Sequence, residues 1–197
     1  MIKRKANLTE QEMLAIARAF AWYPNPSASF DGFQDEQMIE RYLLLTTSVM
    51  KTYCEIYSLD ERAYMMISNE SSMTPILQYF RLLWGMLWIV GPARVYRQIE
   101  RGTEAGICQE VELRKKKIPF IHIELLAVRS EHWGEHLMSE MIAFAKAEAR
   151  RRGCVCILET DERVKRDKYL HLGFVLRRTR TLREGVAIYD MIYDPKQ

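Results

Sequence analysis

Glycine and proline are sparse in this chain of 197 residues, at nine and six, and no internal repeat or low-complexity tract occurs. Charge of one sign is also lacking. The net charge is only +3, which argues against a dedicated nucleic-acid binder, because such a domain concentrates far more Lys and Arg. The four cysteines, Cys54, Cys108, Cys154 and Cys156, contain no Cys-x-x-Cys pair and no second half for a zinc site. Cys154 and Cys156 alternate along one strand and point to one face, so they do not comfortably bridge. Buried free thiols in a reducing cytoplasm are expected. Long apolar runs are missing too. The longest, Leu82 to Val90, stops at Gly91-Pro92, far short of the ~20 residues of a membrane span. The Met1-Ile2-Lys3-Arg4-Lys5 start looks like a signal-peptide n-region, but the polar stretch Asn7 to Glu12 follows instead of an apolar one.

What is present fits one globular domain. Hydrophobic residues make up 48% and charged residues 28% of the chain, so disorder is excluded. A chain of this length buries roughly 70% of its unfolded surface and needs neither disulfide nor metal staples. We expect a single domain over 1–197, with a helix-rich variable part at 1–117 and the chemistry at 118–197. Thr9 and Glu12 form a capping box ahead of a helix whose inner face is Met13, Ile16, Ala17 and Phe20. Tyr23-Pro24-Asn25-Pro26-Ser27 breaks it, and a loop through Gly32 is expected. A second helix is expected from about Asp35 to Tyr57, a strand at Ala63–Ser68, and a further helix with Pro75 at its first position. Tyr79, Trp84, Trp88 and Tyr96 are expected chiefly as core, with an acceptor-pocket lining or a dimer face as alternatives. The basic run Arg114 to Lys117 reads as a solvated helix end rather than a phosphate site.

From Ile118 the pattern changes to strand, helix, strand, helix. The strands are expected at Phe120–Val128 and Cys154–Leu158, the helices at about Gly134–Arg152 and Val164–Leu172. Two strands close the chain, Gly173–Leu176 and Ala187–Ile192. This order argues for an α/β fold with a right-handed crossover and parallel central pairing. Arg150-Arg151-Arg152 suit a helix C-terminus ahead of Gly153. Arg177 to Arg180 read as an exposed strand edge guarded against aggregation.

Three segments carry chemistry. His122 and Glu124 interrupt an otherwise apolar strand, and strand periodicity puts them on one face with Leu126 and Val128. A buried carboxylate is costly unless paired or used. The two are therefore either a base for a nucleophile near neutral pH or a structural pair. The turn from Val128 to Met138 leads into a helix N-terminus, whose free amides and dipole suit a pyrophosphate, though Gly134 is its one glycine. Tyr169, on the helix after Leu158-Glu159-Thr160, is either core or a proton donor to a leaving thiolate.

Together Leu126-Ala127-Val128, Leu158-Glu159-Thr160 and Tyr169 through Phe174 resemble, in order and register, the GNAT superfamily of acetyl-coenzyme A-dependent N-acetyltransferases. The resemblance is tightest over 118–192. It implies a GNAT-like mixed central sheet with flanking helices, acetyl-CoA as cosubstrate, no metal, and a small-molecule or peptide amine acceptor. It further implies that Leu126, Ala127 and Val128 pair with the pantetheine arm between two splayed strands. Amides of Trp133, Gly134, Glu135, His136, Leu137, Met138 and Ser139 would hold the pyrophosphate. Tyr169 would protonate the thiolate, and His122 or Glu124 would stand where some branches place the base. Trp133 replaces the family's usual Gln or Arg, and His136 and Met138 replace glycines. Lys165 stands where Asn is common, and it is expected to offer positive charge. The expected activity is direct acetyl transfer to a primary amine. The alternative is an inactive GNAT-fold binding module. No nucleic acid or membrane partner is expected, and a homodimer is possible.

Overall fold

The computed structural model describes residues 1–23, 30, 33, 35–183 and 185–196. The expected loop at 24–29 and 31–32 lies outside them. Among the described residues, seven strands form one sheet in the order β1-β2-β3-β4-β5-β7-β6. The N-terminal basic stretch is itself a strand, β1 (Ile2–Lys5), paired antiparallel with β2. Helix α1 (Glu10–Ala21) begins at the capping box: the Glu12 amide donates to the Thr9 hydroxyl, and the Thr9 amide donates to Glu12 Oε2 at 2.9 Å. Helix α2 (Glu36–Met50) is capped by Asp35, which accepts from the Met38 amide at 2.7 Å.

Helix α2 ends seven residues before the expected Tyr57, because Glu55–Leu59 is β2. Tyr53 and Tyr57 continue the helical spacing, but Ile56 and Tyr57 also suit a pleated surface. Pairing with β1 on one side and β3 (Ala63–Asn69) on the other outweighs the local pattern. Helix α3 (Ile76–Val90) follows, with Pro75 at its N-cap rather than at its first helical position. Gly91, with φ at +80°, makes the break, and Pro92 takes the first position of α4 (Pro92–Glu104). Helix α5 (Gln109–Lys115) precedes β4 (Phe120–Val128). Then come α6 (Leu137–Arg152), β5 (Val155–Thr160), α7 (Arg163–His171), β6 (Val175–Thr181) and β7 (Ala187–Tyr193).

The main core lies between one face of the sheet and α6, and includes Met65, Ile67, Ile121, Met141, Ile142, Leu158 and Met191. The opposite face packs against α1 through Ile16, Tyr64, Met66 and Leu125. Two expectations fail here. Tyr79, Trp84, Trp88 and Tyr96 are exposed, not core. Arg178 and Arg180 do not merely guard an edge: both guanidiniums converge on the fully buried Asp190, at 2.8 and 2.7 Å. The run Arg114 to Lys117 does end α5 with its lysines exposed, and Arg114 also bonds Glu110 and the carbonyls of Asn69 and Ser72. Among the described residues no helix is long and apolar enough to cross a membrane, and all four cysteines are free.

Candidate active site

Strands β4 and β5 are the sheet's parallel neighbours, and they pair through only three residue couples: Phe120 with Val155, Ile121 with Cys156 and His122 with Ile157. Beyond that point β4 runs on to Val128 and β5 to Thr160 without pairing to each other. The divergence begins where β4 carries an extra residue. Met66 and Ile67 of β3 are adjacent, yet their partners are Leu125 and Ile123, so Glu124 stands in a β-bulge. A bulge bends its strand and re-aims the side chains after it. Over the neighbouring β5–β7 pair, the buried side chain of Gln109 donates to the Leu158 carbonyl at 2.8 Å and reaches the Met191 carbonyl at 3.4 Å.

The bulge also reverses the parity of the strand. Ile121 and Ile123 share the α6 face with Leu126 and Val128, whereas Leu125 and Ala127 face α1. His122, opposite Ser68, therefore does not share a face with Leu126 and Val128 as strict alternation requires. His122 and Glu124 still meet, with Nδ1 3.3 Å from Glu124 Oε1.

A cavity of about 1170 Å³ opens between the splayed strands. Its walls include Glu124, Leu126, Ala127 and Val128 of β4, Trp133, Gly134, His136, Leu137, Met138 and Ser139 of the following turn, and Lys165 and Tyr169 of α7. Phe20, Tyr23, Tyr42 and Met50 close it from the α1–α2 side. His122 and Glu135 are outside the lining. The Glu135 carboxylate is held instead by His132 at 2.8 Å and Arg62 at 2.9 Å.

The turn retains the means to hold an anion. The amides of Trp133, Glu135 and Ser139 bond to the carbonyls of Ser130, His132 and His136, which leaves those of Gly134, His136, Leu137 and Met138 as the available donors at the start of α6. Gly134 has φ at +90° and His136 φ at +59°. His136 thus occupies the left-handed conformation that a glycine would take without strain. Trp133 folds back, its indole donating to the Val128 carbonyl at 2.9 Å, and meets Tyr23 edge to face. Lys165 is already engaged: its Nζ lies 4.5 Å from the Tyr23 ring centre and 3.5 Å from Glu162.

The acid–base groups are coupled. His122 is 12% exposed, and its Nδ1 lies 3.4 Å from Glu110 Oε2 as well as 3.3 Å from Glu124, without an aligned hydrogen bond to either. Burial pulls the imidazole down, but the two carboxylates outweigh it and hold it up at about 10. Glu110 is depressed to about 2 by His122 and Arg114, against burial. Burial raises Glu124, yet His122 and the Ser68 hydroxyl, which donates to Oε1 at 2.6 Å, bring it below the usual carboxylate range. Burial pushes the Tyr169 hydroxyl up, and Glu162 adds to it. Glu110, His122 and Glu124 also form a donor set within 4.8 Å of the kind that can hold a metal ion. Metal binding there would release the imidazole's second proton. Sequence reasoning missed Glu110 and Ser68. Glu110 stands four residues before Arg114 on α5 and carries no signal of its link to β4.

A mixed sheet opened by one splayed parallel pair, with a helix N-terminus at the mouth of the opening, defines the acyl-coenzyme A acyltransferase class of folds. The chain belongs to the acetyltransferase (GNAT) family, whose model matches residues 55–174, more than half its length, beginning upstream of the segment that resembled the family most closely and overlapping it. Among solved structures it is similar to "histone acetyltransferase HPA2 and related acetyltransferase" from Corynebacterium glutamicum, with TM-score 0.61 at 14% identity over 99% of this chain and 96% of that one. It is similar as well to arylalkylamine N-acetyltransferase 2 from Aedes aegypti, with TM-score 0.52 at 12% identity over 98% of each chain. Drosophila melanogaster polyamine N-acetyltransferase gives TM-score 0.51 at 11% identity over 98% of this chain and 100% of that one. Comparison with curated protein sequences found no match.

Proposed function

We propose that the chain transfers an acetyl group from acetyl-CoA to a primary amine by direct attack. The observation that carries this is the splay of β4 from β5, which leaves a cavity with Glu124 on one wall and Tyr169 on another. The unpaired edge of Leu126, Ala127 and Val128 suits the amide-bearing pantetheine arm, and the free amides of Gly134, His136, Leu137 and Met138 suit the diphosphate. An amine arrives as ammonium, and the ionised Glu124 takes its proton. The amine nitrogen then attacks the thioester carbonyl carbon, and strand amides stabilise the oxyanion. As the carbon–sulfur bond breaks, the Tyr169 hydroxyl, kept protonated by burial, gives its proton to the thiolate, the surplus proton on the acylated nitrogen returns to the Tyr169 phenolate, and Glu124 releases its proton to solvent. His122 is charged at neutral pH and is a positioning residue rather than the base. It steadies Glu124, and Glu110 balances its charge. The acceptor side is acidic and aromatic, with Glu124 beside Phe20, Tyr23 and Tyr42, which suits a cationic amine. Two structural neighbours are named for amine acetylation, one for arylalkylamines and one for polyamines. Titration calorimetry with acetyl-CoA is the test. Binding in the micromolar range is expected, and no heat at millimolar coenzyme refutes the reading in favour of a binding module that has lost its turnover.

A further inference from the structure

Helix α3 is misplaced by its own composition. Its sequence, ILQYFRLLWGMLWIV, carries one charge, Arg81. A helix that is apolar around its circumference belongs inside a core, yet Val90 alone of its residues is buried. One side rests on α2, where Gly85 meets the Leu45 side chain. The other side presents Leu77, Phe80, Trp84 and Trp88 as one stripe, each 60 to 78% exposed, and α4, which packs on α3, exposes Tyr96 and Ile99 as well. With ~150–250 Å² available per aromatic side chain, these six expose on the order of 1,000 Å². The largest apolar patch on an ordinary monomer is about 300–600 Å².

We propose that the α3–α4 hairpin is the two-fold interface of a homodimer. A standard interface covers about 800 Å² per partner, which this face supplies and which one copy leaves uncovered. Its centre is tryptophan and tyrosine, the residues that dominate association energy. Its rim is self-complementary. Arg97 and Glu100 are exposed on α4 beside Tyr96 and Ile99, and neither forms an ion pair with another described residue. A two-fold axis places unlike charges three residues apart on one helix opposite each other reciprocally. A lipid-facing helix instead brings a polar face rich in Lys and Arg. Helix α3 has a single arginine and no lysine, its second face is occupied by α2, and on α4 Glu100 and Glu104 offset two of the three arginines. None of the residues of α3 or α4 lines the large cavity, so pairing leaves that cavity open.

Sedimentation equilibrium of the full chain tests the proposal. Across about 1–100 µM the wild type is expected as a dimer. Trp84→Glu with Trp88→Glu gives a monomer whose far-ultraviolet circular dichroism is unchanged. Trp22→Glu, exposed outside the patch, leaves the dimer intact. Because the double tryptophan variant can fail to fold, charge reversal gives a second arm. Arg97→Glu weakens the dimer about tenfold, and adding Glu100→Arg restores it. A wild type that stays monomeric throughout overturns the proposal, as does a tryptophan variant that stays dimeric or a reversal pair without rescue. Flotation of a monomeric chain with phosphatidylcholine–phosphatidylglycerol vesicles also overturns it and assigns the face to lipid.

Discussion

An imidazole between two carboxylates is a fixed charge before it is a base. His122 binds its second proton up to about pH 10, so Glu124 is left to accept one at neutral pH. Removing the acceptor and removing its partner then have different signatures. Glu124→Gln is expected to lower kcat about 100-fold. His122→Gln keeps the carboxylate but takes away the cation that depresses it, so the loss is smaller and the acid limb of kcat/KM moves to higher pH. Equal losses without a shift refute the division of roles. The same pair sets a stability window. His122 is raised in the fold, so its contribution is complete below the unfolded value near 6.5 and lost as pH rises toward about 10. Glu110 is depressed, so its contribution is present above about 4.5 and lost toward about 2. On the opposite wall, Tyr169→Phe is expected to lower kcat by at least about tenfold while KM for acetyl-CoA holds. An unchanged kcat removes Tyr169 from the proton transfer.

At the scale of elements, the turn into α6 lacks most of the glycines of the pattern it resembles, and its backbone takes positive φ at Gly134 and His136. His136 adopts a left-handed backbone with φ at +59°, which costs a non-glycine residue about 1 kcal/mol. His136→Gly relieves that strain and clears a β-carbon from the mouth of the cavity. Thermal unfolding is expected to shift upward or hold, and KM for acetyl-CoA to fall several-fold. A rise in KM means instead that the imidazole itself contacts the coenzyme. The contrast with Glu124 shows where legibility in the sequence ends. The strand Phe120–Val128, the crossover helix and the position of Tyr169 follow from periodicity and order, because each is decided locally. The bulge does not. One inserted residue leaves no mark on composition, and it is visible only against Met66 and Ile67, nearly sixty residues upstream. The true extent of α2 is hidden for a similar reason, since β2 exists through its partners β1 and β3 rather than through its own pattern.

At the scale of the molecule, charge adds to apolar packing in holding the last three strands to the helices. Asp190 on β7 is fully buried, and each of its oxygens accepts from one arginine of β6. Arg178 reaches on to Glu112 of α5 at 2.5 Å, and Arg180 to Glu159 of β5 at 2.7 Å. Glu159 borders the large cavity, so this network ties the sheet edge to one of its walls. A run of arginines reads in sequence as a surface feature, because the aspartate that organises it lies ten residues away on the next strand. A buried ion group is weak evidence for net stability, but breaking one strands its partners. Asp190→Ala leaves Arg180, itself largely buried, beside Glu159 alone. A destabilisation of about 3–5 kcal/mol is expected by denaturant unfolding. Arg180, no longer held by Asp190, is then free to shift with Glu159, so the acceptor KM should change in any fraction that remains folded, while coenzyme binding at the far turn stays as it was. An Asp190→Ala protein with wild-type stability means that solvent reaches the arginines and that the network does not hold the edge.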